Sequence, residues 1–373
     1  MGLSFLEGNE AIAHGAVAAG CNFFAGYPIT PATTVYNTML SLLPPSGGVC
    51  LQGEDEIASM GFCLGASMAG KKVLTATSGP GISLYSEQIS FAIGSEIPVV
   101  IVDVQRLGPS TGSATRGADG DVQFLQWGSS GGLPVIVLAP ADVRDCYLLT
   151  VHAFNLAEKF RCPVFLASNK EIAMTKESID LSAIPLPDIV ERQPAGPNQP
   201  FRPFASENNH SAPPFLPIGG DTLVRQTSST HGTDGYITID PAVIESMQQR
   251  LDQKLMAHVD ALTFYDTDIQ EGADTLVITY GVTSRSAVDA VASLRSEGKA
   301  ASLLVLKTLW PVPEAVIRQL AAPVSRVVVT EMNMGLYLRE IERLLPDKTI
   351  GFMGHMSGKL VTPHEIREVV TNG

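Results

Sequence analysis

A predicted helix of small residues with acids at its N-terminus constrains the fold of this chain more than any other stretch. Glu54, Asp55 and Glu56 open a run, through Gly70, that is dominated by Ala, Gly, Ser and Met. Carboxylates in a first turn suit the positive end of the helix macrodipole. Because the body has no polar face, we expect this helix to be buried on most sides.

The helix leads directly into an apolar strand and a glycine turn. The strand is predicted over residues 73–77, and the turn Ser-Gly-Pro-Gly occupies residues 78–81. In an open α/β sheet, ligands bind outside the carboxyl ends of the strands. An acid at the N-terminus of a buried helix, beside such a turn, therefore predicts a ligand site. The purely structural interpretation is a helix start whose acids only interact favourably with the helix dipole.

Apolar strand-like runs alternate with helical stretches along most of the chain. The predicted strands are 22–25, 73–77, 98–103, 134–138 and 163–167, then 275–280, 301–306 and 326–330. Alternation of this kind predicts an α/β fold with a doubly wound, mainly parallel sheet, followed by a smaller α/β unit. We expect three parts, at residues 1–180, 181–262 and 263–373.

The middle part has a different composition from its neighbours. Pro, Asn, Ser, Gly and Gln dominate residues 185–217, which predicts an extended arm. Pro241 then begins a predicted linker helix with one apolar stripe. His210 and His231 lack the spacing of metal ligands, so we expect both at the surface.

Composition excludes several classes of protein. The formal net charge of −13 argues against nucleic-acid binding, and the apolar runs are too short to span a membrane. The N-terminus lacks a signal-peptide pattern, so a cytoplasmic location is expected. No C-x-x-C pair occurs, which excludes a zinc ribbon or an iron–sulfur cluster within this chain and predicts reduced thiols. The cysteines are Cys21, Cys50, Cys63, Cys146 and Cys162.

Two loops have the character of binding segments. Residues 27–31, Tyr-Pro-Ile-Thr-Pro, are stiffened by two prolines, and Thr33 or Thr34 could cap the next helix. Residues 105–121 form a long glycine-rich loop that contains Arg116. A lone loop arginine is usually solvated, so its position alone does not assign a role.

The region around Glu56 resembles the pyrimidine-binding domain of thiamin diphosphate enzymes. The resemblance rests on Glu56-x-x-Ala, Gly65-Ala66 and the Ala-Thr-Ser-Gly-Pro-Gly of residues 76–81. It implies that Glu56 is the catalytic carboxyl, hydrogen-bonded to N1′ of the cofactor's aminopyrimidine so that the thiazolium C2 can lose its proton. That role needs a carboxyl that keeps a proton near neutral pH, and burial raises a carboxyl pKa.

Tyr-Pro-Ile-Thr-Pro resembles a signature of the 2-oxoacid:ferredoxin oxidoreductases. In that family the threonine contacts the 2-oxoacid carboxylate, which here implies Thr30. Gly-Pro-Ser-Thr-Gly-x-x-Thr at residues 108–115, followed by a basic residue, implies that Arg116 clamps the same carboxylate through its guanidinium fork. The implied cofactor contacts are Tyr27, Pro28, Ile29, Glu56, Ser78 and Gly79.

Nearly the whole chain resembles the alpha subunit of this family. Residues 53–60 and 103–112 are most similar to the 2-oxoglutarate branch, and the last part resembles a transketolase C-terminal domain. The implied reaction is CoA-dependent oxidative decarboxylation of 2-oxoglutarate to succinyl-CoA and CO₂, with reduction of ferredoxin. Glu-Met-Asn-Met-Gly at residues 331–335 also matches, but Leu336-Tyr337 stands where a glutamine usually follows.

The diphosphate half of a thiamin site is missing from the sequence. Asp119-Gly120-Asp121 is the nearest approach to the required Gly-Asp-Gly segment, and no suitably placed asparagine or P-loop follows. The resemblance therefore implies a partner beta subunit that carries the diphosphate-binding domain, Mg²⁺ and a [4Fe–4S] cluster, with αβ units paired into a dimer. No metal site is expected in this chain.

Other interpretations stay open at this stage. The same chemistry could act on a branched-chain 2-oxoacid or on pyruvate, and Arg106, Lys170 or the partner could bind a distal carboxylate. A non-catalytic scaffold subunit would be marked by loss of Glu56 or Thr30, and both are present. A nicotinamide-binding protein is excluded because no G-x-G-x-x-G follows a strand.

Overall fold

A computed structural model describes residues 2–196 and 201–372 of the chain. The first part contains, in order, β1 (Ser4–Glu7), α1 (Gly8–Ala18), β2 (Phe23–Gly26), α2 (Thr33–Leu42), β3 (Val49–Gln52), α3 (Glu56–Met68), β4 (Val73–Thr77), α4 (Pro80–Leu84), α5 (Ser86–Gly94), β5 (Val99–Gln105), α6 (Val122–Trp127), β6 (Ile136–Leu138), α7 (Val143–Phe160), β7 (Pro163–Asn169), α8 (Lys170–Ala173) and β8 (Lys176–Ile179). The second part contains α9 (Pro241–Met256), α10 (Val259–Leu262), β9 (Tyr265–Asp268), β10 (Thr275–Tyr280), α11 (Thr283–Ser296), β11 (Ala301–Leu306), β12 (Thr308–Trp310), α12 (Glu314–Ala321), β13 (Arg326–Glu331), α13 (Leu338–Leu344), β14 (Thr349–Gly354) and α14 (Pro363–Asn372).

A seven-stranded sheet forms the body of the first part. Its order is β12-β6-β7-β5-β4-β2-β3, and the strands are parallel except for β12. Strands β4, β5 and β7 are buried along their whole length because helices cover both faces. Helices α1, α2 and α7 pack in one core, and α3 and α5 pack in the other. The predicted doubly wound sheet is confirmed.

A five-stranded sheet forms the body of the last part, with the order β14-β13-β10-β11-β9. Only β9 is antiparallel to its neighbour. The predicted smaller α/β unit is therefore confirmed. After β11 the chain crosses to the first sheet, where β12 pairs with β6 and the Ala139 N–H donates to the Lys307 carbonyl. The two sheets consequently share one hydrophobic core.

Several local expectations about helices were wrong. Helix α2 begins after Ala32, and neither Thr33 nor Thr34 caps it. The Thr34 hydroxyl instead accepts a hydrogen bond from the buried Asn9 side chain, 2.8 Å away. Helix α3 is not buried on most sides, because Ile57 and Phe62 are 49% and 46% exposed.

Buried charges hold the arm onto the first part. Arg192 pairs with Glu158 at 2.5 Å. Arg161 donates to the carbonyls of Pro203, Pro213 and Pro214. The expectation that His231 lies at the surface was wrong, because it is 2% exposed and packs against Phe204 with ring centroids 3.8 Å apart. His210 is exposed as expected, and residues 197–200 of the arm lie outside the described residues.

The linker helix α9 is fixed to the same region through Glu96, which pairs with Arg250 and Lys254. Burial alone would raise the pKa of Glu96, but the two cations outweigh it and lower the pKa from 4.5 to about 2. Because the folded pKa lies below the unfolded one, this carboxylate stabilises the fold above pH 4.5, and its contribution is lost as the pH falls towards 2.

Replacing Glu96 with Gln should therefore lower the free energy of unfolding at pH 7 by about 3 kcal/mol, because two buried cations lose their counter-ion. Urea unfolding from pH 7 down to pH 2.5 measures this difference, which should shrink below pH 4.5. Equal stability of variant and wild type at pH 7 would contradict the assignment.

Within the described residues, no helix is long and apolar enough to cross a membrane. The five cysteines form no disulfide; four are buried and Cys50 is half-buried.

Candidate active site

Glu56 is the first residue of α3 and lies against the glycine turn after β4. Asp55 caps the helix, because its Oδ1 accepts a hydrogen bond of 2.7 Å from the Ala58 N–H. The Glu56 side chain is buried, and its carboxyl makes no hydrogen bond within the described residues. A Cβ atom on Gly81 would lie 3.1 Å from Glu56 Oε1 and 2.0 Å from Thr77 Oγ1. Only glycine at position 81 therefore lets the carboxyl lie so close to the turn.

The glycine turn itself is shaped by Gly79, whose φ of +47° is a conformation that favours glycine. A Cβ atom there would meet the Arg106 side chain at 3.3 Å. The neighbouring Ser78 is fully buried, and its hydroxyl has no hydrogen-bond partner within the described residues. Since buried polar groups are normally paired, Ser78 is available to a polar ligand.

Arg106 connects the glycine turn to the proline-stiffened loop. Its side chain packs over Gly79, the residue is 6% exposed, and Nη1 donates a 2.6 Å hydrogen bond to the Thr30 carbonyl. Burial lowers the pKa of Arg106, while the charges of Asp121 and Glu56 act in the opposite direction. The guanidinium Nε has no partner within the described residues, so it too could meet an anionic or carbonyl ligand.

The proline-stiffened loop is held at two successive carbonyls. Arg106 binds the Thr30 carbonyl, and the buried Asn9 on α1 donates to the Pro31 carbonyl at 2.8 Å. The Thr30 side chain is left exposed. Tyr27, Pro28 and Ile29 lie on the same loop, where Tyr27 is exposed and the other two are half-buried.

Two acids near Arg106, Asp103 and Asp121, were not assigned to the site from the sequence. Asp103, beside Thr77 in the sheet register, is fully buried near the end of β5, and the Asp121 carboxyl faces it. Burial and this like charge raise the pKa of Asp103 well above its usual range, and burial raises that of Asp121 to about 6. This pair therefore binds a proton more readily than exposed carboxyls do.

Arg116 stands apart from this cluster. Its side chain is exposed and packs against the C-terminal segment, where a Cβ atom on Gly358 would lie 2.7 Å from the Arg116 Cβ. Lys170, the other basic residue considered for a distal carboxylate, pairs with Glu171 at 3.3 Å. The structure thus brings together Glu56, the glycine turn, Arg106 and the Thr30 backbone, and leaves Arg116 and Lys170 outside that contact set.

Comparisons with known proteins agree over most of the chain. Residues 14–250 match the family model of the pyruvate flavodoxin/ferredoxin oxidoreductase thiamine diphosphate-binding domain. Residues 273–366 match core domain II of pyruvate:ferredoxin oxidoreductase. The chain is 40% identical to 2-oxoglutarate synthase subunit KorA of Methanothermobacter marburgensis, over 97% of this chain and 96% of that protein. It is 32% identical to ketoisovalerate oxidoreductase subunit VorB of Methanothermobacter thermautotrophicus, over 99% and 97% of the two chains.

One solved structure gives the same family, and another gives a likeness of fold. The 2-oxoglutarate:ferredoxin oxidoreductase from Magnetococcus marinus superposes with a TM-score of 0.91 at 33% identity, covering 99% of this chain and 65% of that longer chain. A split-gene transketolase superposes with a TM-score of 0.58 at 14% identity, which is a likeness of fold alone. The chain therefore belongs to the pyruvate flavodoxin/ferredoxin oxidoreductase family and carries its thiamine diphosphate-binding domain.

Proposed function

We propose that this chain is the alpha-type subunit of a 2-oxoglutarate:ferredoxin oxidoreductase. With CoA, the enzyme converts 2-oxoglutarate to succinyl-CoA and CO₂, and the two electrons released reduce ferredoxin. The observation that carries the proposal is Glu56, a residue only 8% exposed that lies against the glycine turn, in a chain 40% identical, nearly end to end, to a 2-oxoglutarate synthase subunit. A scaffold subunit would not need this carboxyl.

The residues at the N-terminus of α3 fit the pyrimidine half of thiamin diphosphate. Ser78 and Arg106 each offer a buried polar atom without a partner among the described residues, and Gly81 leaves room beside the Glu56 carboxyl. When bound, the cofactor supplies the carbanion chemistry. The task of Glu56 is to hold and exchange a proton at N1′, and that of the glycine turn is to keep the carboxyl in place. Tyr27, Pro28, Ile29 and Gly79 are proposed to line the same half-site.

A partner subunit supplies the diphosphate half in this proposal. Large apolar side chains are exposed on the elements around the site: Tyr27, Val49, Leu51, Ile57, Phe62 and Leu84. Exposed apolar side chains grouped near a site mark an interface with another protein. We assign this face, including the edge strand β3, to a beta subunit that brings Mg²⁺, the diphosphate-binding domain and a [4Fe–4S] cluster. Two such αβ units are expected to pair.

The proposal includes the organisation and location of the chain. The boundary near residue 180 follows the end of β8 at Ile179, and the boundary near residue 262 precedes β9 at Tyr265. We accordingly treat residues 1–180 as the pyrimidine-binding part, 181–262 as the arm and linker, and 263–373 as the transketolase-like part. A cytoplasmic enzyme has direct access to CoA and ferredoxin.

Thr30 and Arg116 are proposed to bind the 2-oxoacid carboxylate. Arg106 is already engaged with the Thr30 carbonyl, so its proposed task is to fix Thr30 rather than to bind a distal carboxylate. The exposed guanidinium of Arg116 has no hydrogen bond to another described residue, which leaves it available to substrate in the assembled enzyme.

Substituting Arg116→Ala should raise the KM for 2-oxoglutarate about 10- to 100-fold with little change in kcat, because a charge-assisted hydrogen bond to the substrate is lost. Steady-state kinetics of the assembled enzyme measure this effect. Arg225→Ala, which removes an exposed arginine of the arm, is the matched control. A KM equal to that of the control would return Arg116 to the role of a solvated loop residue.

The proposed reaction is tested by CoA-dependent reduction of ferredoxin or a viologen dye by this chain purified with its partner. We would offer 2-oxoglutarate, pyruvate and 2-oxoisovalerate in parallel. A higher kcat/KM with 2-oxoglutarate is expected. Preference for 2-oxoisovalerate, the substrate class suggested by the 32% identical ketoisovalerate relative, would keep the mechanism and overturn the substrate. No turnover with any 2-oxoacid, given thiamin diphosphate and Mg²⁺, would favour the scaffold role.

A further inference from the structure

The motif Glu-Met-Asn-Met-Gly, residues 331–335, hydrogen-bonds to a residue of the loop that follows β5 of the first sheet. The Asn333 side-chain Nδ2 donates to the Asp119 carbonyl at 2.9 Å. In return, the Asp119 N–H donates to the Met332 carbonyl at 2.9 Å. Both Asn333 and Asp119 are buried. The motif therefore binds the backbone at Asp119 through two opposed hydrogen bonds.

The side chain of Asp119 extends this contact into the first sheet. Its Oδ1 accepts a 2.8 Å hydrogen bond from Asn169 Nδ2, at the end of β7. Asn169 is itself fixed, because its Oδ1 accepts from the Ile172 N–H. Asp119 is thus a buried junction between the two sheets, and burial raises its pKa to about 7.

Tyr280 and Glu331 bind the amide nitrogen of Asn333, while its Oδ1 accepts from the backbone N–H groups of Gly335 and Leu336. The Tyr280 hydroxyl donates to Glu331 Oε2 at 2.7 Å and accepts from Asn333 Nδ2 at 2.8 Å. Glu331 Oε2 lies 2.9 Å from Asn333 Nδ2, whose two hydrogens are shared among three acceptors, and Glu331 accepts from the backbone N–H groups of Tyr337 and Leu338. A buried network with this many satisfied partners holds its members in one arrangement.

The junction lies at the end of the loop of residues 106–121, which contains Arg106 and Arg116. The two ends of this loop are joined, because Gln105 Oε1 accepts from the Asp121 N–H at 2.9 Å. Between these points, the loop is closed on itself by bonds from the Leu107 N–H to the Arg116 carbonyl and from the Ser113 N–H to the Leu107 carbonyl. Because Asp119 is three residues from Arg116, its position constrains the side of this closed loop that carries Arg116.

We propose that Asn333, hydrogen-bonded to Tyr280 and Glu331, is a positioning residue for the substrate loop, and that the transketolase-like part acts on 2-oxoacid binding through Asp119. This inference rests on the proposed function, because it takes the 106–121 loop as the substrate-binding segment. It gives the last part of the chain a task without placing any of its side chains on the reacting atoms.

The test compares two buried tyrosine hydroxyls of the same part of the chain in the assembled enzyme. Tyr280→Phe removes the hydroxyl that accepts a hydrogen bond from Asn333 Nδ2. Tyr337→Phe is the matched control, because the Tyr337 hydroxyl bonds to the Leu309 carbonyl. We would measure backbone hydrogen exchange over residues 107–118 by mass spectrometry, and KM and kcat for 2-oxoglutarate.

Tyr280→Phe should speed hydrogen exchange in the loop and raise KM about three- to tenfold, with kcat within about twofold, as expected for the loss of one net hydrogen bond. The half-saturating thiamin diphosphate concentration should not change, and Tyr337→Phe should resemble wild type. Asn333→Ala, which removes the Nδ2 donor to the Asp119 carbonyl, should act in the same direction if Tyr280→Phe does not fold.

Unchanged exchange and KM in Tyr280→Phe, or equal effects in both tyrosine variants, would overturn the positioning role. The exchange measurement needs no turnover. If every 2-oxoacid fails as a substrate, loop exchange still decides whether Asn333 positions residues 106–121, so the failure of the proposed function is distinguished from the failure of this inference.

Discussion

Replacing Glu56 with Gln should abolish turnover, lowering kcat at least about 10³-fold, while the chain still assembles with its partner. The amide has the size of the carboxyl but cannot exchange a proton with N1′, and acid–base groups of this kind contribute 10²- to 10⁴-fold to rates. CoA-dependent viologen reduction measures the loss, and size-exclusion chromatography measures assembly. The outcome depends on the proposed thiamin role of this one carboxyl.

The control for this variant is Glu54→Gln. Glu54 lies two residues before Glu56 but outside α3, with its side chain exposed. The same chemical change there should leave kcat within about twofold of wild type, because exposed surface substitutions have small effects. Near-wild-type turnover of Glu56→Gln would remove the thiamin assignment from this residue.

The second large effect is expected from Gly81→Ala. The added methyl would lie 2.0 Å from Thr77 Oγ1 and 3.0 Å from Glu56 Cγ, so the turn or the carboxyl must move. Misplacement of a catalytic group by about 1 Å can cost about 10²-fold in rate, and we expect kcat to fall by at least that factor. Stability should fall by about 1–3 kcal/mol as well, as in other overpacked sites.

Gly220→Ala is the control for the backbone change. Gly220 is an exposed glycine of the arm, and a Cβ atom there has no heavy atom within 4 Å. Wild-type kcat in this control and a loss in Gly81→Ala would assign the effect to the crowding of Glu56. If Gly81→Ala keeps full activity with unchanged stability, the close packing of the carboxyl against the turn is not needed.

Sequence patterns predicted the strands that are buried on both faces. Strands β4, β5 and β7 are rich in apolar and β-branched residues, and such stretches are visible without any knowledge of the fold. Strand β9, Tyr-Asp-Thr-Asp, escaped prediction because it is exposed and has no apolar run, and β3 escaped because its apolar run is only three residues long. Strand β12 is short, and its pairing with β6 depends on how the two sheets pack together.

The absence of a polar face on α3 was interpreted as burial within the chain. Ile57 and Phe62 are instead exposed in the single chain. An apolar surface is a property of the assembled protein, and a sequence pattern does not tell whether the same chain or a partner covers it. In the proposed enzyme the beta subunit covers this face, which reconciles the pattern with the exposure.

The local half of the site was readable from the sequence, and the distant half was not. Glu56, Ser78 and Gly79 lie within 24 consecutive residues, so their proximity follows from one helix, one strand and one turn. Arg106 reaches the Thr30 carbonyl across 76 residues. The signal for it was a charged side chain just after a buried strand, a position where α/β proteins place ligand groups.

The central claim is that this chain holds half of a thiamin site and becomes an enzyme only with its partner. It is tested most directly by assaying 2-oxoglutarate- and CoA-dependent viologen reduction with three samples: this chain alone, the beta subunit alone, and the two together, each with thiamin diphosphate and Mg²⁺. We predict turnover only in the mixture. Turnover by this chain alone would contradict the half-site, and an inactive but fully assembled mixture would contradict the reaction.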